Sequence, residues 1–120
     1  MKIAITSQGP DLNSTVDPRF GRAQCFIVFD TESNAISVTD NKQNLNAPQG
    51  AGIQAGRNVV ELDVQAIVTG HVGPKAFATL QAGNVAIYTG ATGTVAEAID
   101  QFKAGGLTRQ EDADVEGHWV

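Results

Sequence analysis

The stretch Ala66-Ile67-Val68-Thr69-Gly70-His71-Val72-Gly73-Pro74-Lys75-Ala76 decides the fold of this chain. Its apolar, β-branched beginning is typical of a buried strand, and proline suits the first position of a helix. The pattern therefore predicts a strand that passes through a tight loop, shaped by Gly70 and Gly73, into a helix. Amide groups at the start of a helix attract anions, and an imidazole can ligate a metal or donate a hydrogen bond. We expect an anion-binding pocket here, with His71 facing it.

Length and composition indicate one globular domain. The chain has 120 residues, of which 42% are hydrophobic and 18% are charged, and this is ordinary for a protein with a single core. No apolar run approaches the roughly 20 residues that a membrane-spanning helix needs, and because Met1-Lys2 leads into a strand pattern we expect no signal peptide. Because Cys25 is the single cysteine, an internal disulfide is excluded, and we expect a cytoplasmic protein.

The charge distribution argues against a general nucleic-acid binder. The chain has eight Lys and Arg residues and thirteen Asp and Glu residues, which gives a net charge of −5. Nucleic-acid binders, in contrast, normally present a basic surface. Several acidic residues cluster near the carboxyl end, so the preceding chain is close to neutral and is compatible with a local positive site. We predict a domain over residues 1–107 and an acidic, flexible tail over residues 108–120.

Hydrophobic periodicity predicts an α/β fold with elements in the order β-β-β-α-β-α-β-α. The predicted strands cover residues 2–6, 25–30, 35–39, 66–69 and 85–88, and the predicted helices lie within residues 49–62, 74–81 and 94–102. Strands two and three are joined by a hairpin-length connection and should be antiparallel. If strand four pairs with strand one, right-handed crossovers give a mixed five-stranded sheet in the order 3-2-1-4-5, with strand two antiparallel and helices on its faces.

A long loop over residues 8–24 contains Arg19-Phe20-Gly21-Arg22. Loops of this length inside a compact domain are usually functional or disordered. Two guanidinium groups beside an aromatic ring and a glycine suit the binding of an anion or a planar group. The alternative is structural, in which Phe20 fills the edge of the core and the arginines pair with Asp11 or Asp17.

Two further glycine-rich segments accompany predicted helices. Gly50 and Gly52 lie at the start of the first helix, where each glycine costs about 1 kcal/mol relative to alanine, so we expect a close backbone approach to a strand or a ligand. Residues 90–94, Gly-Ala-Thr-Gly-Thr, follow the last strand, and Thr94 with Glu97 has the pattern of a capping box. Because ligands of open α/β sheets bind beyond the carboxyl ends of parallel strands, we expect these segments to converge there with Arg19, Arg22 and His71.

Five segments carry a family resemblance: Ser7-Gln8-Gly9, Val16-Asp17-Pro18-Arg19-Phe20-Gly21-Arg22-Ala23, Gln49-Gly50-Ala51-Gly52-Ile53, Thr69-Gly70-His71-Val72-Gly73-Pro74-Lys75-Ala76 and Gly93-Thr94-Val95-Ala96-Glu97-Ala98-Ile99. Together they resemble the dinitrogenase iron-molybdenum cofactor biosynthesis family, the NifX-like domains, from Met1 to about Leu107. The resemblance implies a ribonuclease H-like three-layer fold and a role in binding or carrying iron-sulfur or molybdenum-containing clusters. It also implies His71 as the position that can ligate metal. The resemblance does not imply that this chain acts with nitrogenase itself.

We therefore expect a non-catalytic carrier that binds an anionic metal-sulfur cluster transiently and exchanges it with donor or acceptor proteins. The sequence contains no Cys-x-x-Cys pair, so the cluster would be held loosely. The expected cluster-binding residues are Arg19, Phe20, Gly21, Arg22, Gly50, Gly52, Gly70, His71, Gly73, Gly93 and Thr94, with His71 as the metal ligand.

Two other functions are compatible with parts of the sequence. A module that binds phosphate or a nucleotide would use the Gly90–Thr94 turn, unless these glycines only shape the turn and Thr94 only caps the helix. A ribonuclease H-like nuclease needs clustered carboxylates on neighbouring strands to hold two metals, but the first strand has none and Asp30 has no evident partner. Cys25 is either a thiolate ligand or a small hydrophobic residue of its strand.

Overall fold

The structure, a computed structural model, describes residues 1–41 and 51–111. Three helices lie within these residues: α1 (Ala51–Glu61), α2 (Pro74–Ala82) and α3 (Val95–Lys103). A short 3₁₀ helix covers Phe20–Arg22. The strands are β1 (Lys2–Ser7), β2 (Cys25–Asp30), β3 (Ile36–Asp40), β4 (Ala66–Val68), β5 (Ala86–Thr89) and β6 (Thr108–Gln110).

The strands form one mixed sheet in the order β3-β2-β1-β4-β5-β6. β1, β4 and β5 are parallel neighbours, and β2 is antiparallel to β1 and β3, as the sequence predicted. The predicted count of five strands is wrong, because Thr108–Gln110 pairs antiparallel with β5 as a sixth strand. Three residues are too few to show an alternating pattern, so the sequence does not distinguish this strand from the predicted tail. Residues 112–120 of the predicted tail, like Gly50, lie outside the described residues.

Helices cover both faces of the sheet. On β1, Ile3 and Ile5 belong to the cluster that packs against α3, whereas Ala4 belongs to the cluster that packs against α1 and α2. β1 and β4 are buried on both faces after Lys2, which explains why they are apolar runs rather than alternating patterns. Within residues 1–41 and 51–111, no helix has the length and apolar character needed to cross a bilayer.

The glycines of α1 permit close packing against α2. A Cβ atom built on Gly52 would lie 3.3 Å from the Cβ of Ala76, and one on Gly56 would lie 2.9 Å from Cγ2 of Thr79. The expected close approach is therefore present, although the neighbour is a helix rather than a strand. This packing brings the start of α1 next to the start of α2.

The capping box of α3 is present as predicted. Oγ1 of Thr94 accepts the backbone N–H of Glu97 at 3.1 Å, and the Glu97 carboxylate accepts the backbone N–H of Thr94 at 2.9 Å. The pKa of Glu97 lies below its ordinary value, first because of the hydrogen bond from the Thr94 backbone N–H and second because of the hydrogen bond with the Thr94 side chain. The next two amides, those of Val95 and Ala96, donate to the backbone carbonyl oxygens of Ser14 and Leu12 at 2.9 and 3.0 Å. The first amides of α3 are thus already hydrogen-bonded, two of them within the capping box and two to the loop that follows β1.

Candidate functional site

The loops that follow β1, β4 and β5 meet at one edge of the sheet. The loop after β1 is attached to β1 itself, because the backbone N–H of Asp17 donates to the carbonyl oxygen of Thr6 at 3.0 Å. The loops after β4 and β5 are joined by a 3.2 Å hydrogen bond from the N–H of Gly90 to the carbonyl oxygen of Gly70. These are the three loops that the sequence placed at the carboxyl ends of the parallel strands.

Arg19 and His71 are neighbours across two of these loops. Their backbones form an isolated parallel bridge, and the N–H of Phe20 donates to the carbonyl oxygen of His71 at 3.2 Å. Residues that are 52 positions apart in sequence are thereby joined by main-chain hydrogen bonding. The positions of the Arg19 and His71 side chains are therefore coupled through the backbone.

A cleft of about 310 Å³ opens beside this bridge. Its volume is at the lower end of the range for small-ligand sites. Three segments line it, namely the 3₁₀ turn, the first residues of α1 and the start of α2. The lining residues are Arg19, Phe20, Gly21, Gly52, His71, Gly73, Pro74, Lys75 and Ala76. This set is called the cleft below.

The start of α2 gives the cleft an anion-attracting wall. Gly73 is the N-cap and supplies no side-chain hydrogen bond, and Pro74 occupies the first turn. The first amides of a helix have no acceptor within the helix, and their partial positive charge favours an anion. A Cβ atom built on Gly73 would meet nothing within 4 Å, so this wall borders open space.

Lys75 lines the cleft although it is not among the site residues that the sequence predicts. Its position directly after the helix-starting proline was the available signal, since that position lies beside the free amides of α2. The exposed side chains of Arg19, His71 and Lys75 therefore surround one cleft. One guanidinium, one ammonium group and one imidazole give a local positive site in a chain whose net charge is −5.

Arg19 and Phe20 also have the structural roles that were considered as the alternative. Nε of Arg19 lies 3.5 Å from Oδ1 of Asp17, whose side chain is 2% exposed, while the Arg19 side chain is 67% exposed. Phe20 is buried in the core, with its ring centroid 5.8 Å from that of Phe26. The ion pair and the core packing therefore hold the segment that presents the arginine to solvent.

The other candidate residues lie outside this lining. Gly70 packs against Pro18, with a would-be Cβ atom only 2.7 Å from the Pro18 Cα, so it permits the two loops to approach. Arg22 ends the 3₁₀ helix, and Gly93 and Thr94 begin α3 beside residues 14–16. The described residues that line the cleft include none of these four.

Cys25 has the environment of a packed residue. It is buried at the start of β2, and its Sγ donates to the carbonyl oxygen of Gly9 at 3.1 Å. It lines a separate pocket of about 300 Å³ with Val38 and Asp40. In residues 1–41 and 51–111, no group of three or more His, Cys, Asp and Glu side chains is placed to hold a metal ion.

The family model described as dinitrogenase iron-molybdenum cofactor matches residues 1–105. The chain belongs to the dinitrogenase iron-molybdenum cofactor family. The match spans β1 to the end of α3, so it includes every segment that lines the cleft. The resemblance inferred from the sequence motifs is therefore confirmed.

Solved structures of similar sequence share the whole architecture. The apo form of the orange protein from Desulfovibrio gigas superposes with a TM-score of 0.90 at 36% identity, covering 95% of this chain and 96% of its own. A candidate NifB protein from Thermotoga gives a TM-score of 0.83 at 39% identity, covering 97% and 98%. An uncharacterised protein of Methanocaldococcus jannaschii is 28% identical over 113 residues, or 92% of each chain.

Proposed function

We propose that the cleft binds an anionic metal-sulfur cluster, either iron-sulfur or molybdenum-containing, and that the protein carries this cluster between donor and acceptor proteins during cofactor assembly. The observation that carries the proposal is the pairing of Arg19 with His71 beside Lys75 and the start of α2. Metal-sulfur clusters are negatively charged, so cations and helix amides at one cleft suit them. Membership of a family named for the iron-molybdenum cofactor supports the same cargo.

The donor set favours a cargo that is held and released. The described lining of the cleft offers one imidazole and no cysteine, whereas resident iron-sulfur clusters are usually held by several thiolates. The cluster would therefore arrive preassembled, be held mainly by charge and hydrogen bonds, and take at most one direct bond from His71. We place this carrier in the cytoplasm because its single cysteine forms no internal disulfide.

The same donor set supports a carrier rather than an enzyme. Proton transfer or nucleophilic attack needs a reactive side chain within hydrogen-bond reach of a partner that activates it. The cleft lining combines cations, one imidazole, glycines and apolar side chains. A two-metal nuclease has no donor set within the described residues. At the Gly90–Thr94 turn, the first amides of α3 are occupied by the capping box and by the backbone carbonyl oxygens of Ser14 and Leu12.

Cluster binding is tested by gel filtration under anaerobic conditions. Purified protein is mixed with a preformed iron-molybdenum-sulfur or copper-molybdenum-sulfur cluster, and visible absorbance is followed through the column. We expect the cluster to travel with the wild type. Arg19→Ala should weaken binding about tenfold, because a charge-assisted hydrogen bond contributes roughly 1.5–3 kcal/mol.

The matched control is Arg57→Ala, which removes an exposed arginine of α1 that lines a different pocket. This variant should bind like the wild type. His71→Ala tests direct ligation, and it should shift the absorption spectrum of any cluster that remains bound. If no colour travels with the wild type, or if the Arg57→Ala and Arg19→Ala variants lose binding equally, the proposal is wrong. Calorimetry with orthophosphate and ATP then tests the phosphate alternative.

A further inference from the structure

A buried polar network lies beneath the Arg19–His71 bridge. Among the described residues, Thr6, Thr69 and Asp17 are buried polar side chains with 0%, 0% and 2% exposure. Oγ1 of Thr6 lies 2.7 Å from the carbonyl oxygen of Asp17 and 2.8 Å from Oγ1 of Thr69. Since a hydroxyl has one proton, Thr6 donates to the carbonyl and accepts from Thr69. Asp17 is thereby fixed to the ends of both β1 and β4.

The Asp17 carboxylate is directed at Arg19. Its Oδ1 accepts the backbone N–H of Arg19 at 3.0 Å and lies 3.5 Å from Nε of the same residue. A carboxylate that is almost fully removed from water needs a positive partner, and the guanidinium supplies it. The Arg19 side chain remains 67% exposed, so the Nε edge is engaged while the terminal nitrogens reach solvent.

We propose that Asp17 is a positioning residue for anion binding, which holds the Nε edge of Arg19 so that the four terminal N–H donors are presented to the cleft. Thr6 binds the backbone carbonyl oxygen of Asp17, and Thr69 binds Thr6, so the backbone that carries the carboxylate is anchored at the two strands from which the cleft loops depart. A guanidinium has five N–H donors in a rigid fork, so fixing one edge also fixes the direction of the others. This inference rests on the proposed function.

Positioning and simple charge make opposite predictions for Asp17. The carboxylate is negative and close to the cleft, so charge alone predicts that its removal tightens the binding of an anion. Positioning predicts that its removal weakens binding, because Arg19 must then be ordered by the ligand itself. The sign of the change in affinity therefore distinguishes the two effects.

The test uses Asp17→Asn, in which the amide oxygen can still accept the Arg19 backbone N–H. Affinity for tetrathiomolybdate is measured by titration for the wild type, Asp17→Asn, Arg19→Ala and the double variant. We expect Asp17→Asn to bind about fivefold more weakly than the wild type, and to cause no further loss in the Arg19→Ala background. Equal or tighter binding by Asp17→Asn, or an equal loss in both backgrounds, would overturn the inference.

The matched control is Asp63→Asn. Asp63 is exposed, has a φ of 61° that asparagine tolerates, and precedes β4 at the opposite edge of the sheet, so the same charge change is made far from the cleft. This variant should bind tetrathiomolybdate within about twofold of the wild type, because charges beyond a Debye length are largely screened. Thermal unfolding of all variants verifies that each one folds.

A second measurement needs no ligand. The Arg19 Nε–H resonance is followed by ¹⁵N NMR, and we expect its exchange with water to be slower in the wild type than in Asp17→Asn. Equal exchange rates in the two proteins would overturn the inference. If the wild type binds no tetrathiomolybdate, the proposed function fails, and the NMR comparison still decides whether Asp17 holds Arg19.

Discussion

Arg19 and Phe20 are adjacent in sequence and have opposite environments. Phe20 is 2% exposed in the core, whereas the Arg19 side chain is 67% exposed at the cleft. The sequence left two interpretations open for this segment, anion binding and structural packing, and the structure shows the packing while leaving the guanidinium at the cleft. Residue type alone could not separate them because one buried aromatic ring can anchor the turn that presents a charged neighbour.

Gly70 gives a prediction at this scale. Gly70→Ala should lower the free energy of unfolding by about 1–3 kcal/mol, because its Cβ atom would lie 2.7 Å from the Pro18 Cα and force the two loops apart. Urea unfolding measures this change. The control is Gly73→Ser, which introduces a side chain into open space at an N-cap and should leave stability unchanged or slightly higher. Equal losses for both variants would contradict the assignment of Gly70 to loop packing.

Among the elements, those with a strong local pattern were predicted well. α3 has a capping box and an apolar stripe, and its observed start and end agree with the sequence. β6 was missed because its three residues acquire strand structure only by pairing with β5, which is a long-range interaction. The glycines of α1 were predicted to permit close approach to a strand or a ligand, whereas Gly52 and Gly56 pack against the helix α2, a neighbour that a single sequence does not identify.

The capping box of α3 gives a prediction with a defined pH dependence. Thr94→Ala should cost about 1 kcal/mol of stability near neutral pH, the usual effect of losing an N-cap. The Thr94 backbone N–H, which alanine keeps, is the first cause of the lowered pKa of Glu97, and the Thr94 side chain is the second. The stability that the side-chain contact adds through this lowered pKa is present above the ordinary value of 4.5 and is lost as the pH falls through the lowered value. Thermal unfolding measured from pH 7 to pH 3 should therefore show that the difference in stability between the wild type and Thr94→Ala becomes smaller as the pH falls.

The control for this experiment is Thr92→Ala. Thr92 lies in the same turn, but its hydrogen bonds with the Gln101 side chain come from its backbone, so the substitution keeps them. The stability of the Thr92→Ala variant should equal that of the wild type at every pH. A Thr94→Ala difference that stayed constant between pH 7 and pH 3 would contradict the contribution of the Thr94 side chain to the lowered pKa of Glu97.

Across the whole molecule, the parallel strand order decides where chemistry can occur. The sequence predicted the order of the first five strands, and with it the meeting of loops 8–24 and 69–73 that makes Arg19 and His71 neighbours. It could not predict which glycines line the cleft and which only permit packing. That distinction depends on differences of a few tenths of an ångström in the distances between elements. One example is the contact of Gly21 with Gly52 at the cleft, where a Cβ atom built on Gly21 would lie 3.0 Å from the Gly52 backbone.

The measurement that tests the central claim most directly is a ¹⁵N NMR titration of the wild-type protein with tetrathiomolybdate. The account predicts chemical-shift changes that saturate together and are concentrated at the cleft, in Arg19, Gly21, His71, Gly73 and Lys75. Changes concentrated instead around Cys25 and Val38, or no saturable changes at all, would contradict the claim that this cleft holds an anionic cargo.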